Sequence, residues 1–457
     1  MKLHNSYTNK LEEFKPLVEN KVSMYVCGPT VYDYAHLGHA RCYITWDVLY
    51  RYLKFRNYDV TYVRNVTDVD DKILKKADAE GKTPEEVSNR WYNAFVKSME
   101  ALNTLKPGIE PFATETIGEM IDITRDLVNN GYAYEVNGDV YFRVKKFPQY
   151  GMLSKQPVDA LESGARVEAN DVKEDPLDFA LWKKDEKHGY QSPWGKGRPG
   201  WHIECSAMSR RYLGKTIDIH AGGADLIFPH HENEIAQSEC ANGCKFVNYW
   251  LHNGFVTINK EKMSKSLGNF LTIDNLLEQY DANTIRFFIL TNHYRMPVEF
   301  SDEALSAAAN GVKRIMNAKR TEIDANFDIT AADEYKLFVE AMDEDLNTAK
   351  ALAVLFELAN KANKDEPHAF TILYKLASVL GFTFEKQALT EEEFSEKIRY
   401  VSAKLGENFS SMEEILVYRK KARDEKDWDT ADKIRIAFNE AGIILKDSKE
   451  GTTWEVK

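Results

Sequence analysis

A strand, a helix and a second strand follow one another within residues 22–71, and that spacing constrains the fold more than any other feature of the chain. In "SMYVCGPTVYDYAHLGHAR", residues 23–41, the run Met24-Tyr25-Val26 predicts a buried strand over 22–27. Residues 37–56 place Ile44, Val48, Leu49, Tyr52, Leu53 and Phe55 at three- and four-residue spacing, the stripe of an amphipathic helix. "DVTYVRNVTDVDD", residues 59–71, returns to β-branched alternation and then turns polar. Strand, helix and strand at this distance predict a parallel βαβ unit, in which ligands bind beyond the carboxyl ends of the strands. Cys27 and Thr67 both fall at such ends.

Further along, a helix is predicted over 84–103, opened by Pro84 with Glu85 and Glu86 in its first turn. Another spans 114–129 and stops at Asn130-Gly131, and 132–144 reads as a hairpin turning at Asn137-Gly138. Residues 145–200 are rich in Pro, Gly and charge, the composition of a loop-heavy insertion. Order returns with a strand and glycine turn at 216–228 and a helix at 230–241. Beyond about residue 273 the chain reads as largely helical, with a strong amphipathic pattern at 333–362. A charged stretch at 385–408 reads as a link to a final unit of about fifty residues.

At 457 residues the chain exceeds a single core, which predicts two to four domains. No long uncharged apolar run is present to cross a membrane, and "MKLHNSYTNKLEEF" lacks the apolar centre of a secretory signal. Five scattered cysteines, an odd number, argue against a disulfide scaffold and for a reducing cytoplasm. The net charge of −12, from 60 basic and 72 acidic residues, excludes bulk attraction to nucleic acid. Any such partner must be held by placed contacts.

Two sets of residues offer chemistry. Cys27, Cys205 in "WHIECS", the pair His230/His231 and Glu234 supply zinc-type donors, and His230 and Glu234 share a helix face. Spacing alone leaves the choice open: Cys240 and Cys244 are closer in sequence, and free cysteines are commonly small buried hydrophobes. The second set suits phosphate. His36-Leu37-Gly38-His39 falls at a helix start, where N–H groups and the dipole favour anions. "KEKMSKSLGN", 260–269, groups Lys260, Lys262 and Lys265 in a short loop able to neutralise charge on a triphosphate. Taken singly, each of these also reads as an ordinary helix start and a solvated charged turn.

Together, "HLGH" and "KMSKS" resemble the two signature motifs of class I aminoacyl-tRNA synthetases, with Leu37 for isoleucine the one departure. Within that class, "YVCGPTVYDYAHLGHAR", "NVTDVDDKI", "GWHIECSAM", "IHAGGADLIFPHHENEIAQSE" and "KMSKSLGN" resemble the bacterial cysteinyl-tRNA synthetases. The closing "DWDTADKIRIAFNEAGIILKDSKEGTTWEVK" extends the likeness to the C-terminus.

The resemblance implies an α/β Rossmann-type parallel sheet over residues 1–255 with a connective insertion at about 105–200. A loop and stem-contact region (256–305), an α-helical bundle (306–390) and a small C-terminal α+β anticodon-binding unit (400–457) would follow. It implies one Zn²⁺ per chain on Cys27, Cys205, His230 and Glu234, which sets Cys240/Cys244 aside. ATP with Mg²⁺ would be held by His36, Gly38, His39, Lys262, Ser264 and Lys265, with His36, His39, Lys262 and Lys265 catalytic. Thr67 and Trp201 would line the amino-acid pocket, with His220 and His231 close by. The implied partners are L-cysteine, ATP and tRNA-Cys, and the implied enzyme is a cytoplasmic monomer. The reaction, adenylation followed by transfer to the tRNA ribose, needs no protein nucleophile.

For RNA, Lys313, Arg314, Lys319 and Arg320, then Arg419, Lys420, Lys421, Arg423, Lys433 and Arg435, form basic stretches broken by acids. Trp428 and Trp454 read more readily as packing in the small core than as stacking on bases. Two rival functions are also compatible with the sequence. One is a cysteine ligase acting on an amino-sugar acceptor, as in mycothiol synthesis, which would lack the closing unit. The other is a silent zinc-stabilised RNA-binding module, which would have little use for "KMSKS".

Overall fold

The βαβ unit forms where the spacing predicts it. The computed structural model describes residues 1–156, 172–258, 261–262, 271–384, 391–448 and 451–456. A hairpin of β1 (Lys2–Asn5) and β2 (Lys10–Glu13) leads into β3 (Lys21–Val26), helix α1 (Leu37–Phe55) and β4 (Asp59–Arg64). β3 and β4 pair in parallel, from Lys21 opposite Asp59 to Val26 opposite Arg64. Helix α1 buries more than its predicted stripe. Ile44, Val48, Leu49, Tyr52 and Leu53 are covered, but so are Arg41 and Asp47.

Helices α2 (Asp71–Glu80), α3 (Pro84–Ala101) and α4 (Ile117–Asn129) come next. The predicted hairpin appears as β5 (Ala133–Val136) and β6 (Asp139–Phe142). The insertion after it is more ordered than its composition suggests. β7 (Phe179–Lys184) and β8 (Gly197–Pro199) continue the hairpin into a four-stranded antiparallel sheet, β5-β6-β7-β8. Pro and Gly masked this, but a side chain at Gly197 would collide with the buried Trp182, so that glycine is a close-approach site. The expected breaker is a packing requirement. Residues 157–171 lie outside the described residues.

Helix α5 (Ile203–Tyr212) carries Cys205, and β9 (Ile217–Gly223), helix α6 (Glu232–Asn242) and β10 (Val247–Asn253) complete the central sheet. Its order is β10-β9-β3-β4, all parallel. The chain steps from β3 to β4 on one side and later places β9 on the other. That reversal marks β3 and β9 as the switch point, where a crevice opens at the carboxyl ends. Two short strands, β11 (Val256–Ile258) and β12 (Glu261–Lys262), follow, and β11 pairs in parallel with Val298–Phe300.

The rest of the first compact unit, Met1–Phe382, is helical. The amphipathic run at 333–362 is broken into helices Asp333–Asp343 and Thr348–Asn363. Asp345 and Leu346 adopt positive φ between them. Asp345 is held there by the His4 amide (2.8 Å), the Tyr294 hydroxyl (2.7 Å) and Arg295 Nε (2.8 Å), tertiary partners that periodicity does not reveal. The second unit, Thr383–Lys457, has its own small core of Ile398, Val401, Met412, Ile415, Ile434 and Phe438. Ile398 and Val401 come from a helix, Glu391–Leu405, so that most of the expected link belongs to the folded unit.

Candidate active site and metal centre

A cavity of about 330 Å³ lies at the switch point, bordered by Cys27, His36, Gly38, His39, Trp201 and Val256. Its floor is the chain leaving β3. The Cys27 amide donates to Ala221 O on β9 (3.2 Å), and the Gly28 amide donates to Asn65 Oδ1 (2.7 Å). A side chain at residue 28 would run into the Asn65 backbone, so only glycine lets the two chain segments touch.

At one end of the cavity, His36 caps helix α1. Its Nδ1 accepts from the Gly38 amide (3.1 Å), while His39 Nδ1 accepts from the His36 amide (3.1 Å). The rings lie 3.8 Å apart. With both Nδ1 atoms accepting, each neutral ring carries its proton on Nε2, and so offers a donor rather than a lone pair there. The helix dipole adds to this, which makes the end suited to an anion.

The second signature stretch is tied to the same place. Leu37 N donates to Leu271 O (3.0 Å), Ile273 N to Ala35 O (2.9 Å), and His36 bridges Thr272. Thus the chain emerging from "KMSKS" is anchored beside His36. Lys262 falls in β12, but its side chain, Ser264 and Lys265 lie outside the described residues.

At the other end, four buried donors converge: Cys27 after β3, Cys205 on α5, His230 in the wide turn before α6, and Glu234 on α6. Their ligating atoms lie within 4.8 Å of one another. Cys27 Sγ is 3.7 Å from Cys205 Sγ and 3.6 Å from Glu234 Oε1, and His230 Nε2 is 3.6 Å from Cys205 Sγ and 3.1 Å from Glu234 Oε1. A second combination among the described residues, Cys27, His220, His231 and Glu234, shares two of these donors.

An outer ring orients the cluster. His220 Nε2 meets Glu234 Oε2 at 2.8 Å, and the Nδ1 atoms of His202 and His230 meet at 2.9 Å. His231 Nε2 lies 3.2 Å from Cys27 Sγ, and its Nδ1 is 2.7 Å from His252 Nε2, which continues to Ser6 Oγ (2.8 Å).

The electrostatics favour the anion at Cys205 and Glu234, whereas burial, with Cys205 and Glu234 beside it, holds the Cys27 thiol well above its usual range. Burial would raise the Cys205 thiol, but hydrogen bonds from Cys27 and His230 outweigh it and bring the thiol down to about 6. Burial likewise opposes ionisation of Glu234, yet His220 and His230 pull its carboxyl to about 2. Burial keeps His231 and His202 well below the usual imidazole range, hence neutral.

Trp201 lines the cavity, 43% exposed, with its ring centroid 4.4 Å from that of His230. Thr67 is differently placed. It is buried, its hydroxyl donates to Glu204 Oε2 (2.5 Å), and its amide and carbonyl tie down Pro29 and Val31. It supports the cavity floor from beneath. Cys240 is buried away from the cluster and Cys244 is exposed. Sequence reasoning missed His202, His252 and Asn65. The histidine of "WHIECS", adjoining the candidate Trp201, was the available signal for the first.

In the second unit, Arg419 is buried in an ion pair with Asp447 (2.8 Å), a structural role. Neither tryptophan lies in the core as expected: Trp454 is 38% exposed, with its ring tilted against Phe394, and Trp428 is 59% exposed. It opens its helix next to the Asp427 cap, where its side chain faces outward.

Comparison with known proteins gives the class first. The structure of Mycobacterium tuberculosis methionyl-tRNA synthetase in complex with methionyl-adenylate shares the fold, with a TM-score of 0.56 at 18% identity over 79% of this chain and 89% of that one. A family model for the tRNA synthetases class I (C) catalytic domain matches residues 13–310. A DALR domain matches 337–385, and a cysteinyl-tRNA ligase anticodon binding domain matches 410–454. A cysteine–tRNA ligase of Geobacillus thermodenitrificans is 47% identical over 479 residues, covering 100% of this chain and 99% of the relative. One of Francisella philomiragia is 48% identical over 468 residues, covering both chains fully. The chain belongs to the cysteinyl-tRNA synthetase family of class I aminoacyl-tRNA synthetases.

Proposed function

We propose that the chain joins L-cysteine to the 3′ end of tRNA-Cys through cysteinyl-adenylate, consuming ATP with Mg²⁺, and selects cysteine through a zinc ion on Cys27, Cys205, His230 and Glu234. One observation carries this reading: a four-donor cluster and a histidine-capped helix N-terminus border one cavity, in a chain of this family.

The donor set fits zinc. Two sulfurs, one imidazole and one carboxylate are a tetrahedral complement, and each non-sulfur ligand has its other polar atom engaged, His230 by His202 and Glu234 by His220. This favours Cys205 and His230 over the alternative donors His220 and His231. His220 serves Glu234 instead. Zinc held there would supply a soft Lewis acid that takes a thiolate in preference to a hydroxyl. Size alone separates cysteine from serine poorly, by about 1–3 kcal/mol.

His36 and His39 donate from Nε2 to the phosphates of ATP, and Gly38 leaves the backbone open to them. Lys262, Ser264 and Lys265 are proposed to serve the same phosphates, a role supported by the anchoring of residues 271–273 beside His36. Trp201 packs over His230 and covers the amino-acid end. Thr67 supports the loop that carries Cys27, and through it the amino-acid end of the cavity.

No protein group bonds covalently to substrate in this scheme. The cysteine carboxylate attacks the α-phosphate, pyrophosphate leaves, and the tRNA ribose hydroxyl then displaces AMP. Positioning and charge stabilisation supply the rate. The chain is further proposed to act as a cytoplasmic monomer. Among its described residues no helix is long and apolar enough to cross a membrane. The C-terminal unit favours tRNA over an amino-sugar acceptor. Cysteine-dependent ATP–pyrophosphate exchange tests the first step and charging of tRNA-Cys the second. Exchange without charging would refute the acceptor, and no exchange would refute the activity.

A further inference from the structure

The proposed reaction brings three reactants to one cavity. Cys27 marks the wall for the amino acid, and His36 and His39 mark the wall for ATP. A further wall is formed by Tyr32, Tyr34 and Lys72.

Tyr34 is 47% exposed although it borders a largely buried site. Its ring stands edge-on against the buried Trp91, with centroids 4.7 Å apart at 78°. Trp91 is flanked in turn by the Lys76 ammonium (4.2 Å) and the Arg90 guanidinium (4.8 Å). The tyrosine ring is therefore held from one side and open on the other. Lys72 reaches from α2 over the Tyr32 ring at 5.1 Å.

Acidic groups share this surface, and ion pairs occupy several of them. Asp33 faces Lys76 (3.8 Å), Glu80 faces Arg90 (2.8 Å), Asp71 faces Arg198 (2.8 Å) and Asp78 faces Lys187 (2.9 Å). Lys72 and Lys75 make no ion pair among the described residues. The last two pairs join α2 to the inserted antiparallel sheet, so the wall runs on continuously from the cavity rim.

We infer that Tyr34 and Lys72 receive the unpaired 3′ end of the tRNA, the terminal base stacking on Tyr34 and a backbone phosphate resting at Lys72. Unpaired RNA ends offer bases that stack on aromatic side chains, and such stacking tolerates a flexible strand. A chain of net charge −12 has no bulk attraction for RNA, so an unpaired lysine at the entrance is where a phosphate contact gains most. The inference rests on the charging reaction proposed above.

The test compares the intact chain with its Tyr34→Ala, Tyr34→Phe and Lys72→Gln variants in two assays. One is cysteine-dependent pyrophosphate exchange without tRNA, and the other is charging of a tRNA-Cys transcript. Tyr34→Ala is expected to lower kcat/KM for tRNA at least about tenfold while exchange moves less than about twofold, and Tyr34→Phe to restore charging. Lys72→Gln should flatten the dependence of log KM for tRNA on log salt by about 0.7. Exchange falling as far as charging in Tyr34→Ala would place the ring on the adenylate and overturn the inference. So would charging that does not change. Failure of the unaltered chain to charge while it exchanges pyrophosphate would instead overturn the transfer step itself, and the inference with it.

Discussion

In the reaction proposed above, the two ends of the cavity solve opposite problems with opposite physics. At the metal end every donor is buried, and its polar atoms meet His202, His220, His231 and Asn65 behind them. At the phosphate end the groups are a helix terminus and two imidazoles at the edge of the crevice. A thiol must be distinguished from a hydroxyl, which calls for a dry, rigid site that offers no water in substitution. A triphosphate must enter and pyrophosphate must leave, which calls for donors that remain accessible. Selectivity and turnover are thereby separated along one cavity, and each can be perturbed without the other.

The sharpest way to break that separation is at a ligand. Cys205→Ser should abolish stoichiometric zinc, measured by elemental analysis. It should also lower kcat/KM for cysteine by more than the ~10–100-fold that loss of an outer partner costs a metal site. Retained zinc, or unchanged discrimination against serine, would remove the metal end from the account. The matching change at the other end, His39→Ala, should lower the rate of adenylate formation about 10²–10³-fold while binding of zinc stays intact. A zinc loss in His39→Ala would show that the ends are not independent.

A smaller effect is expected at Arg41, two residues beyond His39. Its guanidinium donates to the carbonyls of Ile289 (2.6 Å), His293 (3.0 Å), Tyr294 (3.0 Å) and Met296 (3.1 Å). Arg41→Met withdraws the donor from all four, of which His293 and Tyr294 keep the amides of Met296 and Gly254, and should cost about 1–3 kcal/mol in stability by denaturant unfolding. Zinc affinity should not change, because the metal end has its own supports.

The smallest effect is a control in the second unit. Hydrogen bonding to Arg419 holds the Asp447 carboxyl well below its usual range. Its contribution is therefore full above the ordinary carboxylate pKa, about 3.9, and is lost as pH falls through the depressed value. Asp447→Asn should remove that acid dependence from the unit's unfolding curve and leave pyrophosphate exchange unchanged.

Much of this architecture was legible beforehand, and the exceptions share a cause. The βαβ unit showed because strand and helix periodicities are local. Strands β7 and β8 were hidden because Gly197 reads as a breaker until Trp182 is seen against it. The break at Asp345 was hidden because its partners, His4, Tyr294 and Arg295, are remote in sequence. In the site, family likeness singled out Cys27, Cys205, His230 and Glu234, whereas spacing had left Cys240 and Cys244 as rivals. The supporting shell was read only in part. A histidine such as His252 shows its role through what lies 2.7 Å away, and no pattern along the chain encodes that distance.

The central claim is that the substrate is recognised by its sulfur at a thiolate-rich metal. Cobalt substituted for zinc makes this visible, because thiolate-to-cobalt charge transfer absorbs in the near ultraviolet. Adding cysteine to the cobalt-loaded chain should intensify that band, and adding serine should leave it unchanged. An equal response to both amino acids, or none to cysteine, would contradict the account.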